Sequence, residues 1–112
     1  MYGRYLSLFE PAMPIKPREL ENLLITKFGF RESKGHSSDH RWLERSIEGI
    51  PTIRTMISHS RKEIRQRLES KIARELHVRT DYFRDMVGCT HDAQDYCSQV
   101  RRDPYPPWQF DA

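Results

Sequence analysis

The chain has 112 residues, which is room for one domain with a single hydrophobic core. Charged residues make up 31% of it and the mean hydropathy is −0.82. No stretch approaches the roughly 20 apolar residues of a membrane span. The first residues also lack the apolar run of a secretory signal. We therefore expect a cytoplasmic protein with no membrane partner.

The net charge is only +3, but the charges are unevenly spread along the chain. Residues 31–79 hold twelve Lys and Arg against seven Asp and Glu, whereas residues 80–112 hold three against six. A basic centre followed by an acidic end is typical of a domain that binds a polyanion through its centre. The alternative is an ordinary solvated surface.

The first element is predicted to be a helix over 17–28. Prolines punctuate residues 1–16, which we interpret as an N-terminal extension. Pro17 suits the first turn of a helix, and Gly29 is a typical residue after the last turn. The apolar positions between them recur at helical spacing: Leu20, Leu23, Leu24 and Phe28.

Three strands are predicted next, over 30–32, 39–45 and 50–57. A polar loop, 33–38, separates the first two, and Glu48-Gly49 predicts a turn before the third. One face of the second strand carries His40, Trp42 and Glu44. Because one face of this strand must meet the helices, we expect Trp42 in the core, with base stacking as the alternative.

The rest of the chain predicts helices and a tail. Ser60 and Glu63 match a capping box for a second helix, whose apolar residues lie four apart: Ile64, Leu68, Ile72 and Leu76. Thr80-Asp81 predicts the start of a third helix that runs into the nineties and carries both cysteines, Cys89 and Cys97, as reduced thiols. The Pro- and aromatic-rich end is predicted to be extended or disordered.

These elements predict an α+β domain of order α-β-β-β-α with an extra C-terminal helix. A three-stranded antiparallel sheet with two helices on one face would bury one layer against the other. This is the topology of double-stranded-RNA-binding domains, so the predicted fold is dsRBD-like. The predicted boundaries are 1–16 for the extension, 17–98 for the domain and 99–112 for a flexible tail.

Three segments together resemble one family. A helix leading into Gly29-Phe30, a polar loop ending in Ser38-Asp39-His40, and Met56-Ile57-Ser58-His59 before a helix that closes on Leu76 resemble HicA-type mRNA interferase toxins. The resemblance covers about 17–88. It implies an RNA-binding endoribonuclease that cuts mRNA without a metal or other cofactor, and a HicB-like antitoxin as protein partner.

The resemblance gives His40 the catalytic role. In that family a Gly-Ser-x pattern precedes the strand histidine, whereas Ser37-Ser38-Asp39 precedes it here. RNA can be cleaved by its own 2′-OH if one group removes a proton and another supplies one, and histidine suits both tasks. His59 is the candidate for the second proton carrier. The candidate phosphate contacts are basic residues near the two histidines: Lys34, Arg41, Arg61, Lys62 and Arg65.

Three alternatives remain open at this stage. His36, Asp39, His40 and His59 offer nitrogen and oxygen ligands for a divalent metal, although their spacing matches no known site. The domain can also be a non-catalytic nucleic-acid-binding module on the same fold. Finally, it can be a protein-interaction domain that recruits a partner through a sheet edge or its tail.

Overall fold

The computed structural model describes residues 15–33, 40–58, 64, 66–88 and 90–109. The elements, in chain order, are α1 (Pro17–Phe28), β1 (Arg31–Ser33), β2 (His40–Arg45), β3 (Ile53–Ser58), α2 (Gln66–Glu75), α3 (Thr80–Val87) and α4 (Ala93–Arg102). The α+β class and the α-β-β-β-α order are confirmed. Within these ranges no helix is both long enough and apolar enough to cross a membrane.

The first helix begins and ends where the sequence predicts. Pro17 is its first residue, and the backbone N–H of Lys16 donates to the Glu19 carboxylate at 2.9 Å. Gly29 closes the helix with a φ of 77°, a left-handed conformation that glycine adopts without strain. Arg45 of β2 then donates from Nε to the carbonyl oxygen of Phe28 at 3.1 Å, which ties the helix end to the sheet.

The three strands form one antiparallel sheet in the order β1-β2-β3. β2 lies in the middle and pairs along its whole length with β3, from His40 opposite Ser58 to Arg45 opposite Ile53. β3 starts only at Ile53, three residues later than predicted, because Pro51 cannot donate a ladder hydrogen bond. The turn at Glu48-Gly49 is confirmed.

Both α1 and α2 lie on the same face of this sheet. Arg41 of β2 reaches Glu21 of α1, and Thr55 of β3 donates from its hydroxyl to Glu75 of α2 at 2.7 Å. Leu43 and Thr55, paired across the two strands, are fully buried on that face. Of the apolar residues predicted for the two helices, Leu23 and Leu68 are half-buried. The others are buried: Leu20, Leu24, Phe28, Ile64, Ile72 and Leu76.

The expectation of a single third helix is wrong, because the chain breaks it into α3 and α4. α3 ends at Val87, and a new helix starts after Asp92. The Asp92 carboxylate accepts from the backbone N–H of Asp95 at 2.9 Å, and the Asp95 carboxylate accepts from the backbone N–H of Asp92 at 3.0 Å. The hydrogen bond from the Asp95 backbone N–H lowers the pKa of the Asp92 carboxyl. Cys97 lies on α4 as a free, half-buried thiol, and Cys89 lies outside the described residues.

The C-terminal end of the chain packs against the domain. α4 continues to Arg102, beyond the predicted boundary at 98, and residues 103–109 then cross the turn between α2 and α3. The Trp108 indole stacks on the His77 imidazole with ring centroids 3.9 Å apart and donates from Nε1 to the Val100 carbonyl at 2.8 Å. His77 Nδ1 bonds the Pro106 carbonyl at 2.7 Å. The described part of the tail therefore has no regular secondary structure and packs against His77.

Candidate nucleic-acid interface

The strand register gives the backbone position of one predicted catalytic residue, His40. His40 is the first residue of β2 and lies opposite Ser58, the last residue of β3. His59 is the next residue in the sequence. The side chain of His40 and the whole of His59 lie outside the described residues, as do four candidate phosphate contacts: Lys34, Arg61, Lys62 and Arg65.

Arg41 is the predicted phosphate contact whose side chain the structure describes. Its Nη1 lies 2.9 Å from the Glu21 carboxylate and 3.3 Å from that of Glu32. Arg41 therefore lies on the helix-covered face of the sheet, and two carboxylates already neutralise its charge. A phosphate at this position would have to compete with both.

A row of three basic side chains follows on α2: Arg67, Lys71 and Arg74. Their spacing of four and then three places them on one side of the helix, which we call the α2 basic stripe. All three are exposed, and among the ion pairs of the described residues none includes any of them. The stripe belongs to the helix that follows β3 in the chain.

The side of α2 that faces α3 has a different electrostatic character. Glu69 is fully buried and accepts from Arg84 of α3 at 2.7 Å and 2.9 Å. These bonds raise the pKa of the Arg84 guanidinium, which stays charged but is paired. Arg67 and Arg84 line an open groove between the two helices, together with Ser70, Thr80 and Asp81. Arg84 is paired with Glu69, whereas Arg67 has no ion pair among the described residues.

Trp42 lies on the opposite face of the sheet, so the expectation that it belongs to the core is wrong. Alternation along β2 gives the core position to Leu43, which is fully buried, whereas Trp42 is half-buried. The physical reason is the register: Leu43 pairs with the buried Thr55, and Trp42 pairs with Met56 on the other face. The alternative interpretation, base stacking on Trp42, stays a prediction.

Metal chemistry has no support in the described part of the chain. Among those residues no group of three His, Cys, Asp or Glu is arranged as a metal site. Three of the four residues considered for a metal, His36, Asp39 and His59, lie outside the described ranges, as does the side chain of His40.

Sequence patterns missed two features near this region. The buried Glu69–Arg84 pair joins residues on separate helices, and its only signal was a glutamate in the apolar stripe of α2. The second is the turn at His77, which adopts a φ of 61° and so reverses the chain after α2.

No family model, no curated protein and no solved structure matches this chain.

Proposed function

We propose that this chain binds RNA through the α2 basic stripe and cleaves it without a metal, with His40 as the residue that transfers a proton. The observation that carries the binding half of the proposal is the stripe itself. Arg67, Lys71 and Arg74 are three exposed cations with no acidic partner among the described residues. Phosphate is the ligand that such a row of unmatched positive charges binds best.

The cleavage half depends on the resemblance to HicA-type toxins together with the strand register. His40 begins β2 opposite Ser58, the last residue of β3, and we propose that His59, the next residue in the sequence, is the second proton carrier. The attacking group would be the 2′-OH of the RNA, so the products would carry a 2′,3′-cyclic phosphate. By the same resemblance, the natural target is mRNA and a HicB-like antitoxin would hold the activity in check.

A binding module without catalysis is the second candidate. The α2 basic stripe supports it directly, because phosphate binding by fixed cations needs no group that titrates near neutrality. Recruitment of a partner through the tail has less support, since Pro106 and Trp108 are engaged within the domain.

One set of assays separates these functions. Purified chain is mixed with RNA in chelator, and both cleavage and binding are followed for wild type and His40→Ala. We expect the substitution to slow cleavage by roughly 10²- to 10⁴-fold and to leave binding unchanged. Binding that never leads to cleavage would favour the module, and cleavage that survives His40→Ala would contradict the catalytic role.

The binding half is tested by salt dependence. The combined substitution Arg67→Ala, Lys71→Ala and Arg74→Ala removes up to three phosphate contacts, each worth about 0.7–0.9 in the slope of log affinity against log salt. We expect the slope to become shallower by about 2. The matched control is Arg41→Ala, which removes a cation already paired with Glu21 and Glu32. An unchanged slope in the triple variant would locate binding elsewhere.

A further inference from the structure

The groove between α2 and α3, which we call the α2–α3 groove, contains a carboxylate that the proposed function does not use. Its volume is about 720 Å³, within the range of roughly 300–1,000 Å³ that is usual for sites of small ligands. Arg67 lines the groove and also belongs to the α2 basic stripe, so the two surfaces are continuous. The other lining residues are Glu69 and Ser70 of α2, and Thr80, Asp81 and Arg84 of α3.

Two of the four charged side chains in the groove compensate each other. The buried Glu69 accepts two hydrogen bonds from Arg84, at 2.7 Å and 2.9 Å. The other two charged side chains, Arg67 and Asp81, are both exposed. Neither of them occurs among the ion pairs of the described part of the chain. The groove therefore offers a ligand one positive group on α2 and one negative group on α3.

The Asp81 carboxylate is held in place at the first turn of α3. Its Oδ1 accepts from the backbone N–H of Tyr82 at 2.7 Å. A carboxylate can accept about four hydrogen bonds, so Asp81 keeps the capacity to accept from a donor on a ligand. Ser70 and Thr80 add two hydroxyl groups to the same groove, and hydroxyl groups can donate to phosphate.

These groups together favour a ligand that carries a phosphate and a hydroxyl side by side. A groove that bound phosphate alone would be weakened by Asp81, because a carboxylate repels an anion. A hydroxyl on the ligand changes this, because it can donate to the carboxylate while the phosphate binds Arg67. Each nucleotide of RNA has such a pair, since its 2′-OH lies near the phosphate, whereas DNA lacks that hydroxyl.

We propose that the protein distinguishes RNA from DNA in the α2–α3 groove, where Arg67 binds a phosphate and Asp81 accepts a hydrogen bond from the 2′-OH of the adjoining ribose. The inference rests on the proposed function, because the α2 basic stripe holds the RNA backbone beside the groove. It adds a specificity-determining residue from α3, a helix that the proposed function does not use.

The test compares two ligands that differ only at the 2′ position. The first is a labelled RNA hairpin, which offers both paired and unpaired nucleotides. The second is the same hairpin with 2′-fluorine throughout, which keeps the A-form but cannot donate from the 2′ position. Fluorescence anisotropy gives both affinities for the full-length His40→Ala chain, in which we expect the RNA to stay intact. The RNA should bind roughly 2- to 12-fold more tightly than its analogue, the contribution of one hydrogen bond.

Asp81→Ala in the same chain removes the acceptor. We expect the two hairpins then to bind equally, and the affinity for the fluorinated hairpin to stay the same or to rise, because a repelling charge is gone. The matched control is Asp85→Ala, which removes another exposed aspartate of α3 that does not line the groove. This control should keep the preference for RNA. Far-UV circular dichroism confirms that each variant is folded.

The outcomes separate this inference from the proposed function. Equal binding of the two hairpins by the chain that keeps Asp81, or a preference for RNA that survives Asp81→Ala, would overturn the role of Asp81 and leave RNA binding intact. A preference lost to the same extent in Asp85→Ala would trace it to the overall charge of α3 and would also overturn that role. No measurable affinity for either hairpin would overturn the proposed function itself.

Discussion

Replacing Trp108 with alanine should destabilise the whole domain, because the indole joins α4 to the turn between α2 and α3. Three contributions are lost. The stack on His77 is worth about 0.5–1.5 kcal/mol, the hydrogen bond to the Val100 carbonyl about 0.5–1.5 kcal/mol, and the burial of about half an indole roughly 1 kcal/mol. The free energy of unfolding should therefore fall by about 2–4 kcal/mol.

Urea unfolding followed by far-UV circular dichroism measures this loss. With a denaturant dependence of about 2 kcal/mol per M, the midpoint should fall by about 1–2 M. Trp108→Phe keeps a ring on His77 but loses the N–H, so its cost should be about 1 kcal/mol. Tyr105→Ala is the second control: the ring is 44% exposed and contacts Arg79, so its loss should cost less than about 1 kcal/mol. A cost below about 0.5 kcal/mol for Trp108→Ala would show that the tail does not hold these helices together.

Three further predictions concern single residues. Tyr96 is buried, which raises the pKa of its phenol well above 10.0. Because the pKa of the phenol is higher in the folded than in the unfolded chain, its contribution to the unfolding free energy is complete below about pH 10 and is lost as the pH rises above that value. Urea titrations at increasing pH should therefore show a falling unfolding free energy, and the fall should be smaller in Tyr96→Phe. Gly29→Ala should lower the unfolding free energy by more than Gly49→Ala: both positions have positive φ, but only at Gly29 would a Cβ meet Arg45 Nε, at 3.0 Å. Each should lose about 1–2 kcal/mol from backbone strain, and equal losses in thermal melts would mean that Arg45 moves aside at no cost. Arg41→Ala should cost less than about 1 kcal/mol of stability and leave RNA affinity unchanged, and a clear loss of affinity in a mobility-shift titration would return Arg41 to the interface.

Local sequence signals were enough to define the elements that depend on short-range physics. Pro17 and Gly29 mark the ends of α1 because one fixes φ without needing an N–H and the other adopts positive φ. The helical spacing of Leu20, Leu24 and Phe28 likewise identified the buried side of that helix. These preferences act within a few residues, so the sequence alone expresses them, and the α-β-β-β-α order follows from them.

The candidate interface was predictable only in part. The helical spacing of Arg67, Lys71 and Arg74 is visible in the sequence, and the structure shows that all three side chains are exposed. The sequence proposed Arg41 as a phosphate contact but did not show the two carboxylates beside it, which come from α1 and β1. Whether a cation is available to a ligand depends on its neighbours in space, and spacing along the chain does not give those.

Tertiary structure alone decided the orientation of β2 and the position of the tail. Alternation along β2 shows that Trp42 and Leu43 lie on opposite faces of the sheet. Which of the two faces the helices depends on the register between β2 and β3. The tail is rich in proline and would be extended in isolation. It is held because Trp108 stacks on His77 and the backbone N–H of Tyr105 donates to the His77 carbonyl oxygen. Contacts between residues distant in sequence depend on the assembled core, so only the folded chain determines them.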